Sequence, residues 1–146
     1  ALKKTLSNIH GDDSSEAMCR GLIEDLLENI VSAFQKFAAS KFSNVSSKST
    51  RVNDFQIIEK GSALFKEEIG IGYENWLTPT EIFKMNLYFQ RRHLLEHNGG
   101  MVDEKYINKS GDTSYSINQR IIVKERDIQE LLNIVKKLAV GLNDIK

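Results

Sequence analysis

Residues able to move protons or hold a phosphate at neutral pH are concentrated in one stretch, Arg91-Arg92-His93-Leu94-Leu95-Glu96-His97-Asn98-Gly99-Gly100, which contains two of the chain's three histidines. An imidazole titrates near neutrality and can give or take a proton, while a guanidinium carries a permanent planar charge that matches phosphate oxygens. Acid/base chemistry on a phosphate ester is therefore one chemistry these residue types allow. Metal binding is the other: His93 and His97, at i and i+4, share a helix face and make a good pair of zinc ligands. The local sequence lacks an obvious third ligand, for which Asp103 and Glu104 are the nearest candidates.

A helix must carry these side chains. Thr78-Pro79-Thr80-Glu81 is a capping box with proline at the first helical position, and Asn98-Gly99-Gly100 is a left-handed stop. Together they predict a helix from about Pro79 to His97 that presents Arg92, His93 and His97 in its last turn, at an exposed end. At about 100° per residue, Ile82, Met85 and Phe89 form one apolar sector and Phe83, Leu87 and Leu94 another. Between them runs a polar line, Asn86, Gln90, His93 and His97. Two apolar sectors predict packing on the chain's own core on one side and on a second copy on the other, with the polar line at the seam. Asn86 and Gln90 read as amides that hydrogen-bond within a bundle, and the histidines as functional groups at the helix mouth. Arg92 and His97 lie about 140° apart on a straight helix, so one chain brings them together only if the helix end unwinds or a partner contributes. Glu96 either repels a nucleic-acid backbone or neutralises Arg92 one turn away.

The segment resembles the HEPN superfamily, whose hallmark is an Arg followed by a polar residue and, after a short interval, a His near the end of a helix. Here four residues, His93 to Glu96, separate Arg92 from His97, and His93 supplies the polar residue. The Asn-Gly-Gly stop agrees, as do the Val102 to Tyr106 region and the closing helix, so the resemblance covers roughly Phe83 to Leu142. It implies an all-α bundle, homodimers in which the motif helices of two chains approach, and metal-independent endoribonuclease activity in a toxin or defence setting. RNA brings its own nucleophile, the 2′-hydroxyl, so the protein need only move protons and stabilise charge. By this resemblance His97 does acid/base work, Arg92 holds the phosphate and His93 orients or assists. The products carry 2′,3′-cyclic phosphate and 5′-hydroxyl ends, and no cofactor takes part. The alternative within the same family is a domain that no longer cuts and serves as a dimerisation or regulatory module of a larger assembly.

The remainder of the chain fits a single HEPN-like domain over residues 1–146. Its 20 basic and 20 acidic side chains balance, so bulk electrostatics recommend neither nucleic acid nor membrane as a partner and any basic surface must be local. A lone Cys19 cannot form an internal disulfide, and no apolar run approaches the roughly 18 residues of a membrane span. The expected setting is reducing and cytoplasmic. Ala1 stands without an initiator Met or a signal-peptide pattern, an expectation of processing, trimming or excision from something longer.

Apolar spacing predicts a helix from about Ser14 to Ala39, capped by Asp13 or Ser14, with a wide face that includes Met18, Leu22, Ile23, Leu26, Leu27, Val31 and Phe34. Residues 40–51 are serine-rich, with Lys41, Lys48 and Arg51 and no carboxylate, and read as a mobile basic connector in preference to a phosphate clamp. A second helix is expected over Asp54 to Ile69 with a break near Gly61. A short helix over Asp103 to Lys109 stops at Gly111, Tyr115 to Val123 alternates as in an extended segment, and Glu125 to Ile145 forms a final packing helix. The fold class is thus an all-α bundle of about four to five helices, with a short irregular or extended segment before the last. Cys19 reads as a small buried residue, and Tyr73, Trp76 and Tyr106 as packing aromatics that could alternatively stack on a base.

Overall fold

The structure is a computed structural model that describes residues 13–145. The described residues form an all-α bundle of five helices: α1 (Asp13–Val45), α2 (Ile58–Ile69), α3 (Pro79–Asn98), α4 (Glu104–Ser110) and α5 (Glu125–Asn143). Short 3-10 turns at Val52–Phe55 and Tyr73–Asn75 precede α2 and α3. Helix α3 is central, packed by α1, α2, α4 and α5, and α1 lies along α5. None of the described helices is long and apolar enough to cross a membrane.

The boundaries of α3 follow from its terminal residues. Thr78 Oγ1 accepts from the Glu81 amide at 3.1 Å and the Thr78 amide donates to Glu81 Oε1 at 2.9 Å, which satisfies two amides that the helix itself leaves without acceptors. Gly99 and Gly100, at φ 60° and 80°, turn the chain out, and the Gly100 amide bonds the Leu94 carbonyl. Asp103 caps α4 by accepting from the Tyr106 amide at 2.8 Å, and Gly111 ends it in the left-handed region.

Part of the core is a set of aromatic rings in contact. Phe42, Phe55 and Phe65 form one cluster, and Phe34 meets Phe89 and Tyr73 edge-on. Phe42 explains why α1 continues to Val45 instead of stopping at Ala39. One turn beyond Ala38, it extends the buried row Cys19, Ile23, Leu27, Val31, Phe34 and Ala38. That row is narrower than the apolar pattern suggested: Met18, Leu22 and Leu26 remain exposed. Because α1 already includes Asp13 and Ser14, its N-cap falls outside the described residues.

Three further expectations are corrected. Helix α2 runs without a break through Gly61, and the residues before it form a 3-10 turn. This glycine is needed for space: a Cβ there would lie 2.6 Å from the buried Tyr73 hydroxyl oxygen. The basic segment after Ala39 is helical as far as Val45, and Lys41 Nζ bonds the carbonyls of Asn143 and Ile145 and so caps the end of α5. In the second apolar sector of α3, Leu94 is buried in the chain's own core and Leu87 is partly buried against it, which leaves Phe83 exposed. The segment before α5 is irregular, as expected, and folds back through a single bridge between Met101 and Arg120, with Ile121 and Val123 buried and Ile117 exposed.

Two glycines give a test with opposite signs. Gly21 is exposed within α1 with open space around it, so Gly21→Ala should stabilise by about 0.5–1 kcal/mol through reduced backbone entropy in the unfolded chain. Gly141 lies against Trp76, and a Cβ there would run into the indole ring. Gly141→Ala should cost about 1–3 kcal/mol despite alanine's better helix propensity. Urea denaturation of the two variants measures both, and a stabilised Gly141→Ala would contradict the packing described.

Candidate functional site

The side chains Arg91, Arg92, His93 and His97 lie within seven residues of one another and face three different environments. Their positions on one helix dictate this, because each residue rotates about 100° from the last.

His93 and His97 line a small cleft of about 150 Å³ between the end of α3 and α4. Their ring centroids are 4.4 Å apart. Gln56, just before α2, places its Nε2 at 3.1 Å from His93 Nδ1. An amide nitrogen only donates, so Nδ1 accepts and the neutral ring carries its proton on Nε2. Burial holds the His93 pKa below the usual histidine value, and the neighbouring His97, Lys109, Arg92 and Lys105 act in the same direction. Both the contact and the burial favour the neutral form of His93. His97 is exposed, with Glu96 Oε2 3.9 Å from its Nε2. Lys105 and Lys109, one turn apart on α4, add charge to the cleft, and neither makes an ion pair among the described residues.

Arg92 lies elsewhere. It lines a separate cleft with Glu24, Asp25, Glu28, Leu95 and Glu96. Its Nη2 donates to Glu28 Oε1 at 2.8 Å and its Nε bonds Glu28 Oε2, while Glu96 Oε2 stands 2.8 Å from the same Nη2. The expectation of an exposed Arg92 is corrected: its side chain is largely covered and clamps α3 to α1 between two carboxylates. Within one chain Arg92 and His97 thus face different clefts. Of the two roles open to Glu96, pairing with Arg92 is the one observed.

Arg91 is the functional-looking residue whose place the sequence did not disclose. It is 8% exposed, donating from Nε to the Tyr106 hydroxyl and from Nη2 to Asp112 Oδ2, both at 3.1 Å. Tyr106 donates its own hydroxyl to Asp112 Oδ2 at 2.6 Å, and Asp127 of α5 lies 3.9 Å from Arg91 Nη1. Burial pushes the Asp112 carboxyl up, but hydrogen bonds from Ser114, Tyr106 and Arg91 outweigh it and bring the carboxyl down to about 2. The network fixes the start of α4, and with it Tyr106, a wall of the histidine cleft. Lys105 and Lys109 were legible as an i, i+4 pair on a predicted helix; Gln56 and Asp112 carried no local signal.

The zinc alternative finds little support in the ligands themselves. Among the described residues no group of three or more His, Cys, Asp or Glu is arranged to hold a metal ion. Asp103, which lines the histidine cleft, spends one carboxylate oxygen on capping α4. Cys19 is buried in α1, Tyr73 is buried in the core, and Trp76 packs on α5. The chain matches none of the protein families, curated proteins or solved structures with which it was compared.

Replacing Arg91 with Met removes the main cation facing a buried carboxylate, and should cost about 3–5 kcal/mol in urea denaturation. A loss under about 1 kcal/mol would show that the network is not the clamp inferred from its geometry. His93 makes a second test. Its proton is taken up more readily in the unfolded chain, so its contribution to stability is intact above the ordinary value of 6.5 and declines as pH falls from there toward the depressed folded value. Urea midpoints compared between pH 8 and 5 should show that decline in the parent chain and less of it in His93→Gln; equal slopes would contradict the assignment.

Proposed function

We propose that the chain is an HEPN-like endoribonuclease that cleaves RNA by attack of the 2′-hydroxyl on the adjacent phosphorus, without a metal ion. The observation that carries this reading is the pair of contacting imidazoles in one cleft with two lysines that form no ion pair among the described residues. In the step, a 2′-O to phosphorus bond forms and the phosphorus to 5′-O bond breaks. One proton leaves the 2′-oxygen and one arrives at the departing 5′-oxygen. His97, exposed and without a strong hydrogen bond to its ring, is the group suited to proton transfer. His93, with Nδ1 engaged by Gln56, orients a phosphate or water through its Nε2–H. Lys105 and Lys109 supply charge to the phosphate from the same chain. Arg92 would reach that phosphate as part of a homodimer approaching near the end of α3, and only after giving up Glu28 or Glu96.

The paired state of Arg92 favours a second reading, an HEPN-like dimerisation or regulatory module that does not cut. The two readings separate experimentally. The nuclease reading expects cleavage of mixed RNA in EDTA, with cyclic-phosphate products and a bell-shaped pH dependence. His97→Ala should lower that cleavage by about 100-fold or more while changing stability by no more than about 0.5 kcal/mol, because the side chain is exposed. Arg92→Ala should lower both, since it strips Glu28 of its partner. An intact parent chain that cuts no RNA, or activity restored only by zinc, would sink the nuclease reading.

A further inference from the structure

The histidine cleft opens into a larger groove of about 770 Å³ between α2, α3 and α4; Gln90 and Lys109 line both. We propose that this groove is a nucleobase-binding subsite for single-stranded RNA, in which a base stacks on Phe83 and the adjoining phosphate sits at Lys105 and Lys109. The proposal rests on the ribonuclease reading and adds to it the form of the substrate and the direction in which the strand lies.

Phe83 is 47% exposed on a helix whose other aromatics, Tyr88 and Phe89, are buried. Its ring is backed by Gly111, where an added Cβ would come within 3.2 Å, and it opens into the groove opposite Ile57. A half-covered ring against an apolar wall is a stacking platform that accepts any base. The polar groups around it discriminate between occupants. Asn86 is committed, donating to the Lys109 carbonyl at 3.0 Å and so tying α3 to α4. The side-chain amides of Gln90 and Asn108 have no hydrogen-bond partner among the described residues, and each offers the donor and acceptor that a base edge requires. In a duplex those edges are occupied by pairing, so an accessible edge and face call for a single strand.

Charge sets the direction. At the far end of the groove Lys66 is held by Glu74 at 2.8 Å and Glu59 adds a further carboxylate. Among the described residues that line the groove and the cleft, the basic side chains outside any ion pair are Lys105 and Lys109, beside the histidines. The base therefore lies toward Phe83 and the backbone toward His93 and His97, which puts a phosphodiester next to the groups that transfer protons. An apolar face of a second copy is a poorer occupant, because it would cover both lysines and both amides without partners.

The test uses the full chain carrying His97→Ala, so that the probe survives, and anisotropy of a short fluorescein-labelled single-stranded RNA of mixed sequence alongside the same strand made abasic. Adding Phe83→Ala should weaken binding of the base-bearing strand about tenfold and leave the abasic strand unchanged. Phe83→Leu, which keeps apolar cover over Gly111, should show the same loss and guards against misfolding. Lys105→Gln with Lys109→Gln should weaken both strands and flatten the salt dependence. Unchanged affinity of Phe83→Ala for both strands overturns the subsite, as does a Phe83→Ala chain that loses a dimer but keeps its RNA affinity. If the parent cuts RNA while Phe83→Ala binds like its background, the subsite alone fails. If binding depends on Phe83 yet the parent cuts nothing, the ribonuclease reading fails and the subsite stands.

Discussion

The buried charge of Arg91 is the constraint on which much of the architecture depends. A guanidinium withdrawn from water is costly, by several kcal/mol even after relaxation, and is tolerated only when its donors are met. Here Tyr106, Asp112 and Ser114 accept from it, and the rings of Tyr88 and Tyr115 flank it. Because those partners come from α4 and the segment after it, satisfying one side chain of α3 fixes the course of the chain across a stretch with no strand and few apolar anchors. Asp127 extends the same field to α5. The position of α4 is thus set by electrostatics as much as by packing.

That positioning has a direct bearing on the histidine cleft. Tyr106 and the two α4 lysines form one side of it, His93 and His97 the other. The buried ionic network ties α4 to α3 and so sets the distance between the two sides of the cleft. His93 is fixed in turn by Gln56 from the opposite side, so its tautomer is decided by the loop before α2 and not by α3, on which it resides.

Arg92 follows a different logic. One residue on from Arg91, it points to α1, where Glu28 and Glu96 neutralise it. A guanidinium so paired contributes to joining two helices at little electrostatic cost, but it is not poised for an anion. The uncovered row Met18, Leu22 and Leu26 lies on the same helix, α1, as Glu28. Neutralisation of Arg92 and exposure of that row both concern α1.

Local physics determined most of the helices from sequence alone. The Thr78/Glu81 box, the Gly99-Gly100 stop and the Asp103 cap are short-range hydrogen-bonding devices, and each acts as its residue types dictate. The apolar rows of α3 and α5 and the clustering of His93 with His97 on one face follow from helical periodicity, which is equally local. What periodicity could not decide is which apolar residues find a cover: Leu94 does, Phe83, Leu22 and Leu26 do not. Nor could it assign Arg91 to the core and Arg92 to α1, because their partners Asp112 and Glu28 lie 21 and 64 residues away. A charged side chain declares its role only when the fold delivers or withholds a counter-charge, and that is a property of tertiary structure.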